Sequence, residues 1–358
     1  VILAVEDGKG GYLFCDPTVE FAPPGDLPPA DCDRDVLLIK DGKAEWVRTP
    51  KHDPGTATFS LDLQVEPDGR VSGWIAVKSS GYAAIRHHAL ETLEDDEERR
   101  GRATGLLYPV YFGATVADLE IPAKQPASGE FHFRAYIDVS NEANESPFER
   151  NVEPPMTGVG LPYLEVPEDS PPRKWPLRLA AQTIRVTGQI KLPEGWHPAD
   201  DPAPLHVKRH GLTANLAWNL DRSTNCCKPS LEIVISANDV PPESVVDLGA
   251  AVESVRSWLD KPLVLSPTNA NALATVERTR LSNFPRLSSG EGQLALVESR
   301  YPSGGNLQLR RAALEKVMEW FHDNPKVAFL SQTYLANIDL SEGKPAAGKK
   351  RMAAALDT

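Results

Sequence analysis

Few cysteines occur in this sequence, and none has metal-binding spacing. The 358 residues include Cys15, Cys32, Cys226 and Cys227, with no CxxC pair and no Cys/His cluster. Four cysteines in a chain of this length are not a disulfide framework. A Cys15–Cys32 disulfide and free thiols stay open as alternatives, and the adjacent pair favours reduced or oppositely facing side chains. We therefore expect no metal site.

Long apolar runs and an excess of basic charge are also missing. Because no run of about 18 apolar residues occurs, we expect no membrane-spanning segment in this chain. The net charge is -12 and no basic stripe is present, which argues against a nucleic-acid partner. The chain has no glycine-rich phosphate loop, no GxSxG motif and no HExxH motif. We expect no cofactor.

Proline is abundant: 32 of the 358 residues are proline, which is well above the usual share of about 5%. This favours strands and loops over a helical bundle. Alternating apolar residues around Asp-Gly turns predict hairpins over residues 36–49 and 56–78. Further strands are predicted at 114–121, 130–139, 175–180, 183–192, 205–207, 212–220 and 231–236.

Helical periodicity occurs in two parts of the chain. Residues 81–102 and 241–259 carry apolar stripes at helical spacing within the strand-rich part. The charge run 94–102 is interpreted as a solvated helix face. His87 and His88 are expected at the surface or half-buried. They are not expected to bind a metal ion together, because adjacent helix positions cannot converge on one ion. After residue 302 the pattern becomes helix–turn–helix, over 306–323, 325–340 and 345–356.

The first eighteen residues, VILAVEDGKGGYLFCDPT, contain two short apolar runs around a polar turn with three glycines. This pattern predicts a β-hairpin. Asp16 follows the second strand, and Pro17 biases it toward extended geometry. A carboxylate in that position is expected at a rim and not in a core.

This stretch resembles bacterial transglutaminase-like proteins of the papain-type group. In that family a strand carrying the catalytic His passes through a short turn into a strand that ends in Asp-Pro-Thr, matched here by Tyr12 and by 16–18. The resemblance implies that Asp16 is the His-orienting member of a Cys-His-Asp triad. It places the His just before Val1 and the Cys tens of residues earlier. We therefore expect the chain to be the C-terminal part of a longer protein.

Ordinary structural roles for these residues stay open as alternatives. Asp16 is also suited to a simple Asx turn before proline, and core packing is an equally ordinary role for Tyr12. Cys15 is not expected to be the nucleophile, because neighbouring side chains of a strand face opposite sides. His52 and Asp53 lie in a Pro/Gly loop and have no evident partner. His197 is interpreted as a loop residue, and His206 and His210 are interpreted as residues on the polar outer face of a strand.

The resemblance continues along the chain. Residues 24–28 and a strand pair ending at Thr49-Pro50 resemble the end of the transglutaminase-like domain. Arg173, Pro176-Leu177 and 192–196 resemble the β-sandwich that accompanies it, with Trp196 as a core residue. Residues 325–356 resemble a tetratricopeptide repeat of about 34 residues. Leu335-Ala336, Gly343 and Ala355-Leu356 fall at its packing and turn positions, while Gln332 and Gly348 depart from it.

The predicted fold is thus mainly β with a C-terminal α region. We expect the C-terminal part of a transglutaminase-like domain at 1–50, a β-sandwich domain with helical insertions at 51–265, and a helical, tetratricopeptide-like region at 266–358. Since a repeat cannot bury its face alone, the array is expected to continue past Thr358.

Two functional hypotheses follow. The resemblance implies an enzyme that acts on protein or peptide amides by cysteine chemistry, of which this chain supplies only Asp16 and is inactive alone. The alternative is a non-catalytic binding or scaffold protein whose sandwich and helical repeats contact a protein partner. The family resemblance also implies a periplasmic or cell-surface location.

Overall fold

The computed structural model describes residues 2–356, apart from 20–21, 23, 29–30, 52–54, 67–68, 112, 124–128, 140–149, 153–154, 157–160, 162–173, 180, 237, 268–283, 302 and 304–306. A large sheet comes first and helices follow at the C-terminal end. This confirms the predicted order of a strand-rich part and an α region. The pair His52 and Asp53 lies outside the described residues.

Two hairpins form the N-terminal part. Strand β1 (Leu3–Glu6) pairs with β2 (Tyr12–Cys15), and β3 (Asp35–Lys40) pairs with β4 (Lys43–Arg48), both antiparallel. The β3–β4 turn places Asp41 and Gly42 at positive φ, as a tight two-residue hairpin requires. The inner faces of the two hairpins share a small apolar cluster around Phe14, Leu27 and Cys32.

An eight-stranded sheet forms the centre of the molecule. Its order is β13-β14-β15-β11-β5-β6-β8-β7, and all neighbours are antiparallel except the parallel pair β5–β11. The strands are β5 (Ala57–Val65), β6 (Val71–Ser80), β7 (Thr115–Glu120), β8 (Glu130–Val139), β11 (Gln182–Lys191), β13 (Leu205–Arg209), β14 (Leu212–Asp221) and β15 (Cys226–Ile235). The predicted strands at these positions are confirmed.

Glycines on the two neighbouring strands allow their backbones to lie close to β5. A Cβ atom at Gly188 of β11 would lie 2.1 Å from the Leu61 carbonyl oxygen, and one at Gly73 of β6 would lie 2.4 Å from the Asp62 carbonyl oxygen. Both glycines have positive φ. The two glycines lie on the strands that flank β5. The pairing of β5 with its parallel partner β11 and with its antiparallel partner β6 therefore requires a residue without a side chain at each position.

Helices and short strands complete the central region. The helix predicted at 81–102 is two helices, α1 (Gly81–Thr92) and α2 (Asp96–Leu107), because Asp95 caps α2 by accepting hydrogen bonds from the backbone of Glu97 and Glu98. A 3-10 turn (Pro242–Ser244) precedes α3 (Val245–Leu259). The short strands are β9 (Arg150–Val152), β10 (Leu177–Leu179), β12 (Trp196–Pro198), β16 (Asn238–Val240) and β17 (Leu263–Pro267).

One apolar core joins these elements. Side chains of the large sheet, α1, α2, α3 and the three-stranded sheet β12-β17-β9 contribute to it. Trp196 is fully buried there, which confirms its predicted core role. His87 corrects the surface prediction: it is buried between Phe131 and Phe133, since it lies on the face of α1 that packs on the sheet.

The described part of the C-terminal region contains the helices α4 (Gly290–Arg300), α5 (Leu307–Trp320), α6 (Pro325–Ser341) and α7 (Pro345–Leu356). Their apolar cluster includes Tyr136 and Ala117 of the sheet, so the helices pack on the β7–β8 end. Leu335, Ala336 and Ala355 are buried as predicted. Leu356 is not: it is 79% exposed at the last residue of α7.

Candidate functional site

Asp16 lies directly after β2, where the hairpin ends at the surface. Its Oδ1 accepts a hydrogen bond from the Thr18 backbone N–H over 2.9 Å and another from the Thr18 hydroxyl over 2.7 Å. Pro17 separates the two residues and has no N–H to donate. The Asx turn that the sequence left open is therefore present. The turn uses Oδ1 alone, and the Asp16 carboxyl also forms a side-chain hydrogen bond with Asp31.

The surroundings keep Asp16 negatively charged. The hydrogen bonds from Thr18 hold the pKa of the Asp16 carboxyl below its ordinary value of 3.8. Asp31 is its neighbour in the next loop, and burial followed by the charge of Asp16 raises the pKa of Asp31. The pKa values of the two carboxyls are thus shifted in opposite directions, and Asp16 is the stronger acid. Nothing in the acidic, proline-rich stretch that holds Asp31 singles it out in the sequence.

Hydrogen bonds from the backbone and from Thr49 hold the loop that contains Asp31 in place. The Asp31 backbone N–H donates to the Pro28 carbonyl over 2.9 Å, and the Thr49 hydroxyl donates to the Asp31 carbonyl over 2.6 Å. Thr49 is buried, which anchors the loop at the end of β4. The Asp16 and Asp31 side chains are therefore carried on a turn and a loop that are both tied to hairpins.

The nearby aromatic and thiol groups serve packing. Tyr12 contacts the Phe14 ring at 6.4 Å between centroids and belongs to the hairpin cluster. Cys15 is half-buried and points to the other side of β2 from Phe14. Burial raises the pKa of the Cys32 thiol to about 11, so it is not a thiolate at neutral pH. None of the four cysteines forms a disulfide.

The described histidines lie elsewhere. His87 bonds to Ser79, His88 to Glu91, His206 to Asn215 and His210 to Asp247. His197 was predicted in a loop, but it lies in strand β12, where it pairs with Ser266 and its side chain is exposed. No described histidine is among the hydrogen-bond partners of Asp16.

Described residues of the central region border clefts. One, of about 460 Å³, borders Trp196, His197, Asp221, Asn225 and Cys226. Another, of about 420 Å³, has Trp218 and Trp258 in its wall. Sequence patterns did not point to either cleft, because each is formed by residues distant in the chain.

The described part of the chain contains no group of three or more His, Cys, Asp and Glu side chains that could hold a metal ion. Within the same residues, no helix has both the length and the apolar character needed to cross a bilayer. No model of a known protein family matches the sequence, and no curated protein is significantly similar to it. A functional assignment therefore depends on the residues themselves.

Proposed function

We propose that this chain supplies Asp16 as the histidine-orienting carboxylate of a transglutaminase-like, papain-type Cys-His-Asp site that acts on protein or peptide amides. The observation that carries the proposal is the state of Asp16: an ionised carboxylate at the surface end of β2, held by Thr18 through one oxygen only. The Cys and His of the site would come from polypeptide outside this sequence, and the chain alone is expected to be inactive.

In such a site each group has a defined task. The Cys thiolate attacks the amide carbonyl carbon, and the His gives a proton to the leaving amine. Asp16 Oδ2 accepts a hydrogen bond from the His Nδ1–H, which fixes the imidazole tautomer and stabilises its charged form. Water or an amine then releases the acyl group from the sulfur, with hydrolysis or acyl transfer as the outcome. The two bonds from Thr18 keep the Asp16 carboxylate in one orientation throughout.

Exposed apolar side chains on the outer faces of the hairpins favour the presence of a larger domain around them. Leu3 and Val5 are each more than half exposed, and they lie on the face of β1–β2 that points away from the small cluster. Ile39 and Trp46 are exposed in the same way on the outer face of β3–β4. Two-stranded hairpins are marginal by themselves. These apolar faces are suited to packing against the remainder of a transglutaminase-like fold.

The same proposal covers the rest of the chain. Residues 51–265 would be the accompanying sandwich-type domain, and 266–358 a tetratricopeptide-like region. The contact of α6 with α7 favours the latter: a Cβ atom at Gly348 would lie 3.0 Å from the Ala336 carbonyl oxygen. Glycine in place of the usual alanine therefore permits the closer approach of these two helices.

The test uses the full-length gene product that contains this chain. We expect Asp16→Asn to lower amide hydrolysis or amine incorporation about 10²-fold or more, because the imidazole loses its orienting acceptor. Asp7→Asn is the matched control, since Asp7 also forms a turn by accepting backbone N–H bonds from Lys9 and Gly11. Equal activity of the Asp16→Asn and wild-type proteins, with both folded, would reject the assignment.

A non-catalytic binding or scaffold function is the second proposal. Its support is α7, where Met352 and Leu356 are 43% and 79% exposed. Exposed apolar side chains of this kind are suited to contact with another polypeptide. Full-length protein that retains Asp16 but shows no labelling by a thiol-directed peptide electrophile would favour this function over the enzyme.

A further inference from the structure

Strand β13 is one edge of the eight-stranded sheet. It pairs with β14, and no described strand lies on its other side. None of its five residues is buried. Both edge strands contact a helix: β13 contacts α3, and the opposite edge strand β7 contacts α4. They differ in that Asp118 of β7 accepts a hydrogen bond from the Ser288 backbone N–H over 2.9 Å, so a further segment is bonded at that edge. Among the described residues, no strand or loop is paired in this way with the outer side of β13.

The turn after β13 determines which backbone groups face outward. His210 and Gly211 both have positive φ, and they form a two-residue loop between Arg209 and Leu212. In such a hairpin the residues that flank the loop form a hydrogen-bonded pair, and such pairs alternate along the strands. Hence Arg209, Val207 and Leu205 bond to β14. His206 and Lys208 direct their backbone N–H and C=O groups to the open side.

An apolar cavity adjoins the start of this edge. It has a volume of about 420 Å³, and Leu205, Trp218 and Trp258 contribute to its wall together with Pro202, Pro204 and Pro262. The Trp258 indole N–H donates to the Ala203 carbonyl over 2.8 Å, which fixes this wall. A cavity of this size and lining is typical of a site that accepts an apolar group.

Strand β13 itself is basic in a protein of net charge -12: it carries His206, Lys208 and Arg209 and no acidic residue. Asp247 of α3 pairs with Arg209 and His210, which leaves Lys208 as the cation in the middle of the edge. At the cavity, Lys261 and Asp200 contribute one charge of each sign. Basic residues on an edge strand also prevent pairing between copies of a chain. That role does not account for an apolar cavity at the same edge.

We propose that β13 and this cavity form a docking site for an extended acidic segment of another polypeptide. The segment adds a ninth strand by pairing with the backbone of His206 and Lys208. Side chains aligned with Leu205 and Val207 are apolar, and one of them enters the cavity. Those aligned with His206 and Lys208 are acidic. The docking strand displaces the side chain of Arg209, whose Nη1 donates to the Lys208 carbonyl over 2.8 Å.

The alternation defines a probe. Acetyl-Glu-Leu-Glu-Leu-Glu-amide can place its two Leu residues beside Leu205 and Val207 and two of its Glu residues beside His206 and Lys208. Its pattern is the same in both directions, so it tests parallel and antiparallel docking together. We expect calorimetry at low ionic strength to show saturable one-to-one binding at concentrations up to about 1 mM. The matching peptide with Lys at each Glu position should bind at least about tenfold more weakly.

Variants locate the site. Lys208→Glu should weaken binding of the acidic peptide about tenfold, because it places like charges opposite each other. Lys349→Glu, the same charge change on exposed α7, should leave the affinity unchanged. Circular dichroism checks that both variants fold. Equal affinity of wild type and Lys208→Glu would overturn the proposal, and so would absence of binding to the wild type.

Backbone pairing is tested separately. Alternate residues of a docked strand bond to β13, so N-methylation of the two Leu residues and N-methylation of the central Glu should have opposite effects. One of the two peptides should lose binding, and the other should retain it. Equal binding of both methylated peptides would overturn strand addition. A dimer of the free protein that dissociates in Lys208→Glu would assign the edge to a second copy and overturn the proposal as well.

Discussion

Arg300 at the end of α4 donates a hydrogen bond from Nε to Oδ2 of Asp138 on β8 over 2.9 Å, and both side chains are almost completely excluded from solvent. Glu66 lies 3.5 Å from Arg300 Nη2. Burial alone lowers the pKa of Arg300, but the charge of Asp138 and the other nearby groups outweighs it and raises that pKa. The guanidinium therefore stays charged at every accessible pH and joins the C-terminal helices to the sheet.

Removal of one partner should expose the dependence of the fold on this pair. We expect Arg300→Met to lower the free energy of unfolding by roughly 3–5 kcal/mol, because Asp138 is left as a buried charge without its partner. Chemical denaturation measures the change. Arg256→Met is the control, since the surface pair of Arg256 with Glu253 contributes at most about 1 kcal/mol. Similar small losses in the two variants would contradict the prediction.

The close approach of β11 to β5 gives a second prediction. Gly188→Ala should destabilise the protein by at least about 2 kcal/mol, because its Cβ meets the Leu61 carbonyl oxygen and its φ is positive. Gly101→Ala is the opposite control: no atom lies within 4 Å of a Cβ there, and alanine favours helix α2 by about 1 kcal/mol. Thermal melts should move in opposite directions. A stable Gly188→Ala protein would mean that β11 and β5 are farther apart.

Local patterns in the sequence were sufficient for most elements. Alternating apolar residues predicted β5 and β6, and the Asp41-Gly42 turn predicted the β3–β4 hairpin, because both signals act between neighbours in the chain. The same holds for α3 and for the helices after residue 306. The split between α1 and α2 was missed, since the Asp95 cap was not recognised within a charge run.

Contacts between distant residues could not be predicted in this way. The parallel pairing of β5 with β11 joins residues more than one hundred positions apart, and no local pattern encodes it. The same limitation applies to Arg300 with Asp138 and to Asp31 beside Asp16. The pattern of α1 predicts His87 at the surface or half-buried, because it begins the charged half of the segment, whereas its side chain packs against Phe131 and Phe133 of the sheet. Only Asp16 of the candidate site was identified from sequence.

The turn at Asp16 gives a prediction for the chain alone. Thr18→Val removes the hydroxyl that donates to Asp16, so the pKa of Asp16 should rise toward its ordinary value of 3.8. Carboxyl carbon chemical shifts followed by NMR through an acid titration measure this pKa. Thr18→Ser keeps the donor and should retain the lowered value. An unchanged pKa in Thr18→Val would show that the backbone bond alone is sufficient.

Burial of His87 makes stability depend on pH. Its Nδ1 lies 2.8 Å from the Ser79 hydroxyl, which itself donates to the Phe131 carbonyl, so Nδ1–H is the donor of a neutral imidazole. Burial, aided by the positive charge of Arg86, lowers the pKa of His87 from 6.5 to about 4. Between these values the unfolded chain binds a proton that the folded chain does not. Stability from this group is therefore fully present above pH 6.5 and is lost as the pH falls toward 4.

A neutral replacement isolates this contribution. His87→Gln keeps a donor for Ser79 but cannot be protonated. Between pH 6.5 and 4 the free energy of unfolding should decrease in both proteins, and the decrease should be about 3 kcal/mol smaller in His87→Gln than in wild type. Urea denaturation at closely spaced pH values measures both curves. His322→Gln, which removes an exposed histidine, should follow the wild-type curve. Parallel curves for wild type and His87→Gln would mean that His87 accepts a proton in the folded protein, and its position between Phe131 and Phe133 would then have to admit water.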